Sequence, residues 1–162
     1  MRVDEFDRLY AEHAQPLLAF LVYRTGDQAL AEDLLSETFE KALKARLRFD
    51  PRRASQKTWL YAIALNALRD QVRRRDAEQR ALERSAMGVS PPAAAEDAVA
   101  DRDTVLRALD VLSDDERTVI ALRYGADLTV PEMARALGQR KAAVEARTYR
   151  ALNKLRAHLP EG

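Results

Sequence analysis

Apolar residues recur along this chain every three or four positions, in runs broken by Gly, Pro and Asp, so the pattern predicts helices throughout. Asp4 opens the first, with Asp7 three residues on in capping-box position, and Phe6, Leu9 and Tyr10 fall on one face. Pro16 has no amide donor and predicts a kink or a split before Leu17, Leu18, Phe20, Leu21 and Val22 resume the pattern. Gly26 supplies a C-cap and Asp27 an N-cap for a second helix, in which Leu30, Ala31, Leu34, Leu35, Thr38 and Ala42 keep helical spacing. Phe49-Asp50-Pro51 ends the run, because Pro51 biases Asp50 away from helix. A third long helix starts near Gln56 with a core stripe of Trp59, Leu60, Ile63 and Ala67, and its periodicity weakens after Arg75.

Ser85 to Ala95 reads SAMGVSPPAAA, a linker composition that divides the chain into two helical parts. The second begins near Asp97, and Val105, Leu106, Leu109 and Leu112 form one face. Ser113-Asp114-Asp115-Glu116 is a capping box for a helix running to Tyr124 and stopping at Gly125. Thr129-Val130-Pro131-Glu132 is another, with Met133, Ala134 and Leu137 on the buried side of a helix that ends at Gly138. Gln139 and Arg140 turn the chain into a longer basic helix carrying Val144, Tyr149, Leu152 and Leu155, which ends before Pro160. A short helix, a Gly-containing turn and a basic helix make a helix-turn-helix. The expected fold class is all-α: two small helical domains joined by a flexible linker.

With 47% hydrophobic residues the chain can bury a core. It has no cysteine, which excludes disulfides and thiolate metal sites, and its two histidines are far apart, which disfavours a zinc site or a His-based catalytic group. No cofactor is expected. The first residues lack a signal-peptide run, no segment has the apolar length of a membrane span, and a cytosolic protein without membrane insertion is expected.

Charge changes the picture more. The net is only +1, yet residues 44–75 hold ten Lys or Arg against Asp50 and Asp70, a formal +8. Residues 1–43 carry −5, residues 76–117 carry −6 and residues 118–162 carry +4. Two basic blocks separated by an acidic one suggest two contact sites on one long polyanion. In the first block Asn66, Arg69 and Arg73 share a helical stripe apart from the core, where an amide and two guanidinium groups can bond base edges and phosphates together. Trp59 and Tyr61 lie beside the basic loop, where flat rings can stack on bases, although Trp59 is in phase with the core. Asp33 and Glu37, four apart, are acidic neighbours suited to a basic protein partner or simply to solvent.

Two segments resemble a known family. DQALAEDLLSETFEKAL followed by KTWLYAIALNALRDQVRRR resembles region 2 of the extracytoplasmic-function (ECF) sigma factors of the sigma-70 family. ALDVLSDDERTVIALRYGADLTVPEMARALG followed by a basic helix resembles their region 4. The resemblance implies a subunit that binds core RNA polymerase, flips a base out of the non-template single strand at the melting element, and reads an upstream promoter box as duplex DNA. It places region 2 at residues 1–80, the linker at 81–97 and region 4 at 98–162. By that similarity Asp33, Leu34, Ser36, Glu37 and Phe39 meet the polymerase. Arg52, Arg53, Ser55 and Gln56, with Asn66, form the base pocket, Arg69 and Arg73 meet the melting element, and Lys57 and Arg74 belong to the same DNA-binding surface. Arg140, Lys141, Ala143, Glu145, Arg147 and Arg150 meet the second box, and an anti-sigma factor is a further partner common in the family. Ser36 stands where a glutamine is usual, Arg140 where a serine caps, and Glu145 and Ala146 where lysine and serine are common. Glu145 repels phosphate but can accept from cytosine in the major groove.

Two other classes compete. An autonomous DNA-binding regulator needs a dimer surface that the pattern does not offer. A helical adaptor that never touches DNA leaves the +8 segment unexplained. An enzyme is disfavoured, because there is no Gly-rich nucleotide loop and no nucleophile–base pair.

Overall fold

The structure, a computed structural model, describes residues 1–85 and 109–159. Most of the linker expected at 81–97, the start near Asp97, Val105, Leu106 and Pro160 lie outside the described residues.

Helix α1 spans Val3–Thr25, α2 Gln28–Ala45 and α3 Gln56–Arg84, with a 3-10 turn at Arg46–Arg48. Helix α4 spans Asp114–Ile120 and continues as a π-helical turn over Ala121–Gly125, followed by α5 at Val130–Leu137 and α6 at Lys141–His158. Several boundaries are set by side chains the pattern predicts. Asp27 Oδ1 accepts from the Leu30 amide at 3.2 Å. The capping boxes at Ser113/Glu116 and Thr129/Glu132 both close. Gly26 and Gly138 end their helices in left-handed conformation, φ +67° and +64°, which a side chain disfavours.

Other expectations are corrected. The first helix starts at Val3, and Glu5 rather than Asp7 reaches back, its carboxylate accepting from the Arg2 amide at 3.0 Å. Pro16 lies within an unbroken α1, whose two halves are pinned to the same core by Leu9 on one side and Leu17, Phe20 and Leu21 on the other. Helix α3 runs to Arg84, so residues 81–84, expected in the linker, are helical. The helix after Ser113 does not stop as an α-helix at Gly125. It widens to π geometry at Ala121, and the following turn uses Asp127 at φ +57°.

The α1–α3 bundle packs α1 on α2 and α2 on α3. In the second part α4 packs on α6, and α5 on α6. The two parts are not independent. One contiguous apolar core runs from Leu17, Leu34 and Leu65 into Val119, Leu122, Met133 and Val144. Helix α3 lies against α5, and α1 against the π turn, so the two halves form one packed body.

Candidate nucleic-acid interface

Helix α3 presents two faces. Leu60, Tyr61, Ala64, Leu65, Ala67 and Leu68 are buried, while Asn66, Arg69, Arg73 and Arg74 are exposed along the opposite side. This shifts the buried stripe expected from the pattern: Trp59 and Ile63 are only half-buried, and Tyr61 takes the central place. No described acidic side chain pairs with Arg69, Arg73 or Arg74.

The loop before α3 is held by its own polar groups. Asp50 Oδ1 accepts from the Arg52 amide at 2.9 Å and from Arg52 Nε at 3.3 Å, leaving that side chain 90% exposed. Arg53 N donates to the Asp50 carbonyl at 3.1 Å, and its side chain faces solvent. Ser55 is the N-cap: its Oγ accepts from the Thr58 amide at 3.1 Å and donates to Thr58 Oγ1 at 3.0 Å. Its hydroxyl is therefore engaged in starting the helix. Gln56 and Lys57 are half-buried in the first turn.

Of the two aromatics beside the basic loop, Tyr61 cannot stack on a base. It is wholly buried, edge-on to Phe20 at 5.6 Å, and its hydroxyl has no hydrogen-bond partner among the described residues. Burial pushes its phenol pKa up to about 12. Trp59 packs edge-on against Phe49 at 5.2 Å.

The second cationic surface is α6. Gly138 turns the chain, Gln139 N donates to the Ala134 carbonyl at 3.0 Å, and α6 begins after Arg140, whose side chain makes no cap. Lys141, Ala143, Glu145 and Arg150 are exposed. Arg147 is half-buried, and its Nη1 donates to Gln139 Oε1 at 2.6 Å, a bond that fixes the guanidinium against the turn. Val144, Thr148 and Ala151 form the buried stripe, so Tyr149, expected on the apolar side, is 65% exposed beside Arg150. The signal for this was the spacing Val144–Thr148–Ala151. It is hidden because Thr148 satisfies its buried hydroxyl by donating to the Val144 carbonyl at 2.8 Å.

On α2 the expected polymerase-contact residues divide. Asp33 and Ser36 are exposed, and Glu37 is half-exposed and paired with Lys41 at 2.9 Å. Leu34 and Phe39 are buried, at 1% and 6% exposure, so neither side chain is available for direct contact. Phe39 instead stacks edge-on with Phe6 and Tyr10. Tyr10, edge-on to Phe39, and Leu43 are exposed apolar side chains.

The cationic faces meet acidic groups across the junction of the two halves. Arg24, its side chain only 7% exposed, donates through Nε to Thr118 Oγ1 at 2.7 Å and lies 4.0 Å from Asp114. Burial lowers its pKa and Asp114 opposes that shift. Thr58 Oγ1 donates to Glu132 Oε2 at 3.3 Å. The Glu132 carboxyl is held below the usual carboxylate range, chiefly by the Thr129 amide. Arg69, Asp114, Asp115, Gly138 and Gln139 line one groove of about 710 Å³. No group of three metal-ligating side chains occurs among the described residues, and no described helix is long and apolar enough to cross a membrane.

Comparison with known proteins matches residues 9–78 to sigma-70 region 2 and residues 102–155 to sigma-70 region 4. The chain is 31% identical to the ECF RNA polymerase sigma factor BldN of Streptomyces coelicolor over 98% of its own length, but spans only 61% of that protein. It is 32% identical to the ECF sigma factor SigX of Bacillus subtilis, covering 96% of this chain and 84% of SigX. The sigma factor RpoE of Bartonella quintana, solved in complex with the anti-sigma factor NepR, superposes with a TM-score of 0.78 at 26% identity, covering 96% of each chain.

Proposed function

The chain belongs to the ECF family of RNA polymerase sigma factors, and from that premise we propose that it binds core RNA polymerase and directs it to promoters carrying two elements. Residues 1–80 are the module that docks on the polymerase and takes the melting element, and residues 98–162 are the module that reads the upstream box. Asp33, Ser36 and Glu37 supply the acidic docking face. Tyr10 and Leu43 supply its apolar margin.

Arg52, Arg53, Gln56, Lys57 and Asn66 take up the displaced strand at the start of α3, and Arg69, Arg73 and Arg74 track its phosphates. Extruding a base costs about a few kcal/mol, which a shaped polar pocket and cationic surroundings offset without ATP. Lys141, Arg147 and Arg150 hold the duplex at the second box, with Arg140 at the turn and Ala143 and Glu145 facing the bases. The protein works as a non-catalytic subunit in the cytoplasm, where the polymerase is, and an anti-sigma factor is its further partner, as NepR is for the Bartonella protein.

The observation that carries this reading is the exposed Asn66–Arg69–Arg73 face on α3, free of acidic partners among the described residues, in the same chain as a helix-turn-helix with a cationic second helix. Runoff transcription with purified core enzyme tests it. Asn66→Ala is expected to impair initiation more than polymerase binding, and an equal loss of both removes Asn66 from the pocket. A chain that adds no promoter selectivity to core enzyme ends the whole reading.

A further inference from the structure

We propose that the two halves form a self-closed state, latched through Arg24, in which the acidic first turn of α4 stands in for DNA phosphate opposite Arg69. Arg24 leaves the end of α1, crosses the junction, donates to Thr118 of α4 and lies 4.0 Å from Asp114. A guanidinium 7% exposed requires such partners, because removing it from water unpaired is costly. A second polar contact, Thr58 to Glu132, ties the start of α3 to α5. Arg24 and Thr118 line a groove shared by Arg69, Asp114, Asp115 and the helix-turn-helix residues Gly138 and Gln139. A phosphate approaching Arg69 there meets two carboxylates, so the closed state weakens strand binding on this face.

The junction is also flanked by open grooves. Besides the groove of about 710 Å³, an apolar one of about 660 Å³ separates Phe20 and Tyr23 of α1 from Ile120, Tyr124 and Leu155. Both grooves are open to solvent, so the halves are held by the shared apolar core at Val119, Leu122, Met133 and Val144 and by the Arg24 and Thr58 bonds. Opening takes Asp114 and Asp115 away from Arg69 and frees the turn before α6, for two separate stretches of DNA. The acidic block of the sequence ends in the turn that shares this groove with Arg69 of the basic one.

This inference rests on reading Arg69 as a DNA contact, so the test separates the two. The chain has no cysteine, and Gln28→Cys with Arg156→Cys, both at exposed positions on opposite halves, accept a dye pair without other thiols reacting. Arg24→Met and, independently, the near-isosteric and uncharged Thr118→Val are expected to lengthen the dye separation. Each is also expected to bind a labelled oligothymidine about tenfold more tightly than the parent, as a larger open fraction requires. The gain for Arg24→Met is diagnostic, since deleting a cation by itself weakens DNA binding. Unchanged separation in both variants overturns the latch, and a longer separation with no gain in affinity overturns the masking of Arg69. Arg69→Ala in runoff transcription reports on the DNA contact alone: full activity there removes the contact, while the dye distances still decide whether the halves are latched.

Discussion

Glu116 Oε1 accepts from Lys154 Nζ at 2.7 Å and from the Ser113 amide at 2.9 Å, so one carboxylate oxygen both caps α4 and ties it to α6. Its side chain is 7% exposed. Desolvation raises its pKa, but the bonds from Lys154 and Ser113 together outweigh that and hold it below the ordinary carboxylate value. A carboxylate with a depressed folded pKa stabilises the fold fully above the unfolded value, about 4.3, and loses that contribution as pH falls through the folded one. Glu116→Gln is therefore expected to lower stability at neutral pH by about 1–2 kcal/mol and to flatten the acid limb of stability against pH. Urea unfolding followed between neutral and acid pH measures both.

Tyr61 gives the opposite sign. Its buried hydroxyl has no partner among the described residues, so removing it removes a desolvation cost. Tyr61→Phe is expected to unfold at the same or a higher urea concentration and to leave binding of single-stranded DNA unchanged. A loss of DNA affinity at unchanged stability instead assigns the hydroxyl a role in DNA binding.

Gly138 sits at φ +64° with no atom within 4 Å of where a Cβ would lie, so the cost of a side chain there is backbone strain alone. Gly138→Ala is expected to cost about 1 kcal/mol. Because the same residue sets the angle between α5 and α6, duplex binding should fall more than binding of single-stranded DNA. Parallel fluorescence-anisotropy titrations on the two substrates compare them.

The acidic face of α2 is expected to act on assembly. Asp33→Ala with Glu37→Ala should weaken association with core polymerase on the order of tenfold, while the isolated protein's affinity for DNA does not fall. Gel-filtration or surface-binding assays with core enzyme read this, and unchanged assembly excludes the pair from the docking surface.

Lys141 and Arg150 are exposed cations without carboxylate partners among the described residues. Replacing either by Ala should weaken binding to all duplexes alike and reduce the salt slope of log affinity by about one. Loss confined to one base position instead marks a base contact.

Sequence alone determined the elements whose signals are local. Asp27, Ser113 and Thr129 announce helix starts because a cap is a bond between neighbours, and Gly26 and Gly138 announce ends because left-handed backbone favours glycine. The helix-turn-helix and the exposed Asn66–Arg69–Arg73 stripe were legible for the same reason: spacing along one helix is spacing in space. Tertiary packing decided what no local pattern encodes. Pro16 stayed inside α1 because both flanks are anchored in one core, and Tyr61 and Thr148 went inward while Tyr149 went outward. Leu34 and Phe39 were withdrawn from the surface on which family likeness had placed them. The joining of the two halves through Arg24, Thr118 and Asp114 spans some ninety residues of chain, and only the folded body brings those groups within bonding distance.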